Sequence, residues 1–70
     1  MTLDKKTLEL VAIGASVAIY CESSQEKHVN AAREAGATVS EIQDSINMGK
    51  QVRQEFDDIV KRIRKKVNNE

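Results

Sequence analysis

The chain has no proline and no tryptophan, and only one tyrosine, one phenylalanine, one cysteine and three glycines in seventy residues. Each scarcity excludes something. Without proline nothing forces a break inside a helical pattern, and no stretch alternates apolar and polar residues as a half-buried strand does, so the expected class is all-α. A single cysteine has no intrachain disulfide partner, and one histidine beside it makes no zinc ligand set; no metal and no cofactor is expected. Aromatic side chains that stack on bases are nearly absent, and eleven basic residues balance eleven acidic ones. Neither nucleic acid nor an anionic membrane is therefore an expected partner. Long apolar runs are missing as well, since Leu10 to Tyr20 falls far short of the ~20 residues that span a bilayer. That run lies between Lys6 and Cys21, as an export or lipoprotein signal would. Glu9 interrupts its approach, however, and bulky Tyr20 stands where cleavage needs a small residue. A free thiol without a targeting segment points to the cytoplasm.

What is present is helical periodicity. Asp4 is suited to N-cap a first helix running to about Ile19, which is apolar around most of its circumference and so expected to be buried. Its one less apolar line carries Glu9, Ser16 and Tyr20 at i, i+7 and i+11, bordering either a pocket or a strip of solvent. A second helix begins in the Cys21 to Ser24 segment, where Ser23 and Glu26 have capping-box spacing, and ends at Gly36, which suits a left-handed C-terminal position. Thr38 and Glu41 form another capping box, and Ile42, Ile46, Gly49, Val52, Phe56, Ile59, Val60, Ile63 and Val67 recur at helical steps across about 39–66.

Three helices divide the chain into a core over residues 3–52 and a C-terminal extension of the third helix over 53–70. The apolar face from Phe56 to Val67 is longer than two short helices can cover. A seventy-residue chain buries only ~60% of the surface its unfolded form exposes, so a second copy is the expected source of further burial. Lys61, Arg62, Arg64, Lys65 and Lys66 form a basic cluster, read as a solvated helix end because cations are favoured there by the helix dipole.

Chemistry is concentrated in Glu9, Cys21, Ser24 and His28. Glu9 is the only charged residue between Lys6 and Glu22, and Cys21 and His28 are the only residues of their kinds. A cysteine at a helix N-terminus meets unpaired backbone amides and the positive end of the dipole, both of which favour thiolate. Cys21, Ser24 and His28 fall at i, i+3 and i+7, so that on a helix His28 shares a face with the hydroxyl and the sulfur. Glu9 arrives from the preceding antiparallel helix, completing an acid–base set. Each has a plainer role open to it: a small buried apolar side chain for Cys21, a cap for Ser24, packing for His28 and a first-turn acid for Glu9.

The run Leu3-Asp4-Lys5-Lys6-Thr7-Leu8-Glu9-Leu10-Val11-Ala12, followed by Cys21-Glu22-Ser23-Ser24-Gln25-Glu26-Lys27-His28 and by Ala31-Ala32-Arg33-Glu34-Ala35-Gly36-Ala37-Thr38 with Glu41-Ile42, resembles the carboxymuconolactone decarboxylase family, including its alkylhydroperoxidase D-like branch. In that family a glutamate precedes a Cys-x-x-Cys-x-x-x-His motif by the interval that separates Glu9 from Cys21. The resemblance implies an all-helical domain that assembles as homo-oligomers, trimers or hexamers. In the redox branch it implies antioxidant peroxidase activity of a peroxiredoxin-like kind, with Cys21 as the first thiol and Glu9 and His28 as a proton relay. Ser24 stands where the second thiol belongs, so Cys21 is limited to a sulfenic acid or a mixed disulfide resolved by an external thiol reductant. The decarboxylase branch relies on acid–base groups instead, which leaves a thiol-independent lyase using Glu9 and His28, or a non-catalytic oligomer, as alternatives.

Overall fold

Asp4 caps the first helix, α1 (Lys5–Ala18), by accepting the Thr7 backbone N–H at 2.8 Å. Hydrogen bonding from Thr7 holds the Asp4 carboxyl below the usual carboxylate range. The computed structural model describes residues 2–69, over which two more helices follow, α2 (Glu22–Glu34) and α3 (Val39–Asn68). α2 ends as its sequence requires: Gly36 takes φ 94°, and the Gly36 and Ala37 amides return to the Arg33 and Ala32 carbonyls at 3.0 and 2.9 Å. A glycine has no Cβ to penalise that left-handed turn.

The Thr38 box opens α3 and also ties it to α1. Thr38 Oγ1 accepts the Glu41 amide at 3.1 Å, while Glu41 Oε1 accepts the Thr38 amide at 2.9 Å. The other oxygen, Oε2, meets Lys6 Nζ at 3.0 Å. The Thr38 amide, and after it Lys6, keep the Glu41 carboxyl low.

α1 is the central element. It runs antiparallel to α2 and parallel to α3, as the Lys6–Glu41 and Ala18–Arg53 contacts, with a constant offset of 35 residues, establish. α2 and α3 scarcely touch each other. Between the helices lies a small core of Ile13, Ala32 and Ile42, with Leu10, Val29, Ala37 and Ile46 packed against it. α1 and α3 come close together at Gly14 and Gly49, where a Cβ on Gly49 would strike the Gly14 carbonyl and come within 2.8 Å of Val17 Cβ.

Two expectations change here. α1 is not buried all round: only Ile13, Ser16 and Val17 are fully covered, while Val11 and Ile19 are exposed, because two neighbours cover two faces of a helix and leave the third open. Ser23 and Glu26 form no capping box, because α2 already begins at Glu22, with Cys21 as its N-cap. The expected third helix is present at its full length, and thirty residues at ~1.5 Å each account for the long axis of the 52 × 25 × 20 Å molecule. From Phe56 onward no other element among the described residues covers it, and Phe56, Ile59, Ile63 and Val67 are exposed.

Candidate active site

α1 leaves its last turn through Tyr20, whose φ of 55° is the only positive value among the non-glycine residues described. The Tyr20 and Cys21 amides bond back to the Val17 and Ser16 carbonyls at 3.1 and 2.9 Å, closing the helix end in the manner usually reserved for glycine. A left-handed tyrosine costs on the order of 1 kcal/mol, and Arg53 offsets part of this. Its guanidinium lies 4.3 Å from the Tyr20 ring centroid and 5.0 Å from that of Phe56, and Nη1 donates to the Ala18 carbonyl at 3.4 Å. Arg53 Nε is buried with no hydrogen-bond partner, though Asp57 Oδ1 is 3.3 Å away. The carboxylate is off the line of the N–H, so this contact is an ion pair only.

The turn delivers Cys21 directly to the start of α2 as a free, half-buried thiol. Its pKa is lowered, first by the Ser24 backbone amide and then by the Ser23 hydroxyl, whose oxygen is 3.8 Å from the sulfur. The Ser24 amide points at the sulfur without reaching a full capping hydrogen bond, so its effect is to favour negative charge rather than to fix the side chain. Cys21 lines an open groove of about 750 Å³ together with Val17, Tyr20, Ile46 and Lys50.

On the seam between α1 and α2 stand two cross-helix contacts. Glu9 Oε2 and His28 Nδ1 are 2.6 Å apart, with their side chains only 18% and 27% exposed. A carboxylate only accepts, so the imidazole N–H donates across this contact, a charge-assisted hydrogen bond on a partly shielded seam. Two turns further along α1, the buried Ser16 hydroxyl donates to the Ala12 carbonyl at 2.8 Å, leaving its oxygen to accept from Ser24 Oγ at 2.9 Å. The Glu9–Ser16 line of α1 thus borders neither solvent nor a pocket; it faces α2, and Tyr20 leaves the line by its left-handed turn.

The structure brings Glu9 to His28, and Ser24 close to Cys21, but it pairs the groups differently from their spacing alone. His28 bonds Glu9 rather than the Ser24 hydroxyl, and Ser24 bonds Ser16. Neither Glu9 nor His28 lines the groove onto which Cys21 opens. Sequence reasoning missed Ser16 as a partner of Ser24, and it missed Lys50 and Arg53 altogether. A serine in the middle of an apolar helix was the available signal for the first. Among the described residues no cluster of three or more His, Cys, Asp or Glu side chains is placed to hold a metal ion.

A family model matches residues 2–50, which is most of the chain. The chain belongs to the carboxymuconolactone decarboxylase family. The comparison with curated proteins and that with solved structures both gave no match. The family's segment contains Glu9, Cys21, Ser24 and His28 and closes just beyond Gly49, so the family's core here is α1, α2 and the part of α3 up to Lys50. The exposed part of α3 lies outside it. No helix among the described residues is long and apolar enough to cross a membrane.

Proposed function

We propose that this member of the carboxymuconolactone decarboxylase family is a single-thiol, peroxidase-type oxidoreductase of the alkylhydroperoxidase D-like kind, with Cys21 as the attacking sulfur. The observation that carries this reading is the setting of Cys21: an N-terminal helix position, a half-exposed sulfur on an open groove, and a pKa lowered by the Ser24 amide. Thiolate is the nucleophilic form, and these are the surroundings that populate it.

The Cys21 thiolate attacks the terminal oxygen of a hydroperoxide. The O–O bond breaks, the sulfur is oxidised to a sulfenic acid, and the departing alkoxide takes up a proton and leaves as the alcohol. Ser24 supplies no second sulfur, so an external thiol condenses with the sulfenic acid, releasing water and leaving a mixed disulfide. A second external thiol then restores Cys21 and departs as part of a disulfide. Lys50, across the groove, offers a cation to an anionic substrate group. Glu9 and His28, on the α1–α2 seam outside the groove, serve as a proton reservoir that reaches the site through solvent.

Peroxide followed by a sulfenic-acid-trapping dione should label Cys21 in the folded protein, with the adduct located by peptide mass spectrometry. A Cys21 that stays unlabelled while the fold is intact would refute the redox reading. The tight Glu9–His28 contact, set apart from the groove of Cys21, favours a second reading, a lyase or decarboxylase that moves protons on a small carboxylate without the thiol.

A further inference from the structure

The apolar stripe left bare on α3 has a symmetry that specifies its partner. Met48, Val52, Phe56, Ile59, Ile63 and Val67 are all about half exposed or more, and the steps between them are four, four, three, four and four. That order reads the same in both directions, about a midpoint between Asp57 and Asp58. We propose that a second copy of the chain binds this stripe through an antiparallel, two-fold pairing of the two α3 helices about that midpoint. Phe56 then faces the partner's Ile59, Val52 the partner's Ile63, and Met48 the partner's Val67.

Three observations favour this arrangement. First, the two halves of the stripe differ in what flanks them. Beside Met48 and Val52, α1 contributes Val11, Ala15 and Ala18 to an apolar groove of about 440 Å³. From Phe56 onward α3 stands alone. Only an antiparallel pair lays the bare half of each helix into the grooved half of the other; a parallel pair would set bare half against bare half and leave both grooves open. Second, small residues floor the groove at Gly14, Ala15, Ala18 and Gly49, which leaves space for a helix to approach at the ~8–10 Å usual between packed axes. Third, the charges beside the stripe agree. On one flank Gln51, Glu55, Asp58, Arg62 and Lys66 follow helical spacing; the same two-fold sets Glu55 beside the partner's Arg62, twice over, and Gln51 beside the partner's Lys66, and brings one like-charged pair together, Asp58 near its own copy at the axis, with Arg62 one turn away on each helix. The matched length from Met48 to Val67 is ~28 Å of helix. An interface that repeats each contact in this way is self-complementary, as a two-fold pair must be. The pairing does not depend on the chemistry of Cys21.

Disulfide trapping in a Cys21→Ser background tests both the partner and the register. Val52→Cys and Ile63→Cys are made as separate chains, mixed, and exposed to mild oxidation. The expected result is a covalent dimer in the mixture and none from either chain alone. A Val52→Cys homodimer would show a parallel pair and overturn the proposal, and so would the absence of any cross-link. Charge reversal gives an independent reading that does not depend on thiol geometry. Glu55→Arg should weaken self-association about tenfold, measured by light scattering across micromolar concentrations, and adding Arg62→Glu to the same chain should restore it. A monomer at those concentrations, or an assembly of three equivalent copies, would contradict the two-fold pair.

Discussion

Gly49→Ala is expected to lower stability by about 2 kcal/mol, although alanine is the better helix former. The two effects oppose each other and their sizes decide the sign. In the middle of a helix, alanine gains up to ~1 kcal/mol over glycine. Against that, a Cβ at Gly49 meets the Gly14 carbonyl and Val17 Cβ. The first of these is backbone and has no rotamer to yield, so α1 and α3 must separate. Overpacking of this kind costs ~1–3 kcal/mol, and separation also thins the Ile13, Ala32 and Ile42 core. A domain of this size holds ~0.1 kcal/mol per residue in reserve, so the loss is a large share of the total. Thermal unfolding should move down by roughly 10 °C. Gly36→Ala is the control, because its cost is only the left-handed turn, with nothing within 4 Å of the new Cβ. A Gly49→Ala variant as stable as the parent would mean that the helices do not cross at this point.

The second large effect concerns the division of labour between sulfur and imidazole. With a hydroperoxide and an excess of external thiol, Cys21→Ser should reduce turnover to the uncatalysed background, since a serine hydroxyl lacks the low-pKa sulfur that attacks and cannot form a sulfenic acid. His28→Gln leaves the sulfur and the Ser24 amide in place while removing the group that exchanges a proton with Glu9. Its expected loss is about 10²-fold in kcat, with rapid Cys21 labelling retained. A steady-state assay of the two variants side by side separates the alternatives. Full activity on a small carboxylate with Cys21→Ser, and none with His28→Gln, would establish the thiol-independent lyase.

Much of the architecture was legible because helix ends carry local chemistry. Asp4, Gly36 and the Thr38–Glu41 pair act within a few residues of themselves, and all three stand where their sequence placed them. α2 starts within the expected Cys21 to Ser24 segment, but its capping was not legible, for a related reason. Ser23–Glu26 has the right spacing, but the Cys21 amide is already bonded to the Ser16 carbonyl, and that tertiary turn starts the helix two residues sooner than the box would. Tyr20 gave no warning of the turn, because a left-handed residue is announced by glycine and here it is held by Arg53 from α3.

The site divides along the same line. Cys21, Ser24 and His28 were visible as a group because they lie on one short segment, and Glu9 joined them through its interval. Which of them touch depends on how α1 rotates against α2. That rotation follows from burying Ile13 and bringing Gly14 against Gly49, contacts that no local spacing encodes. It directs Glu9 to His28 and Ser16 to Ser24, and it leaves the sulfur facing Ile46 and Lys50.

The fold holds the Cys21 thiol below its ordinary pKa, and the rate of its alkylation as a function of pH measures this directly. In the folded protein the rate should reach half its maximum below the ~8.5 of an ordinary thiol. The direction follows from the Ser24 amide and Ser23 hydroxyl, which favour the ionised form in the native state only. Unfolding in denaturant should return the midpoint to the ordinary value. Because the folded pKa is the lower one, this contribution to stability is complete above ~8.5 and is lost as the pH falls through the folded midpoint. A folded-state midpoint at or above that of the unfolded chain would contradict the account.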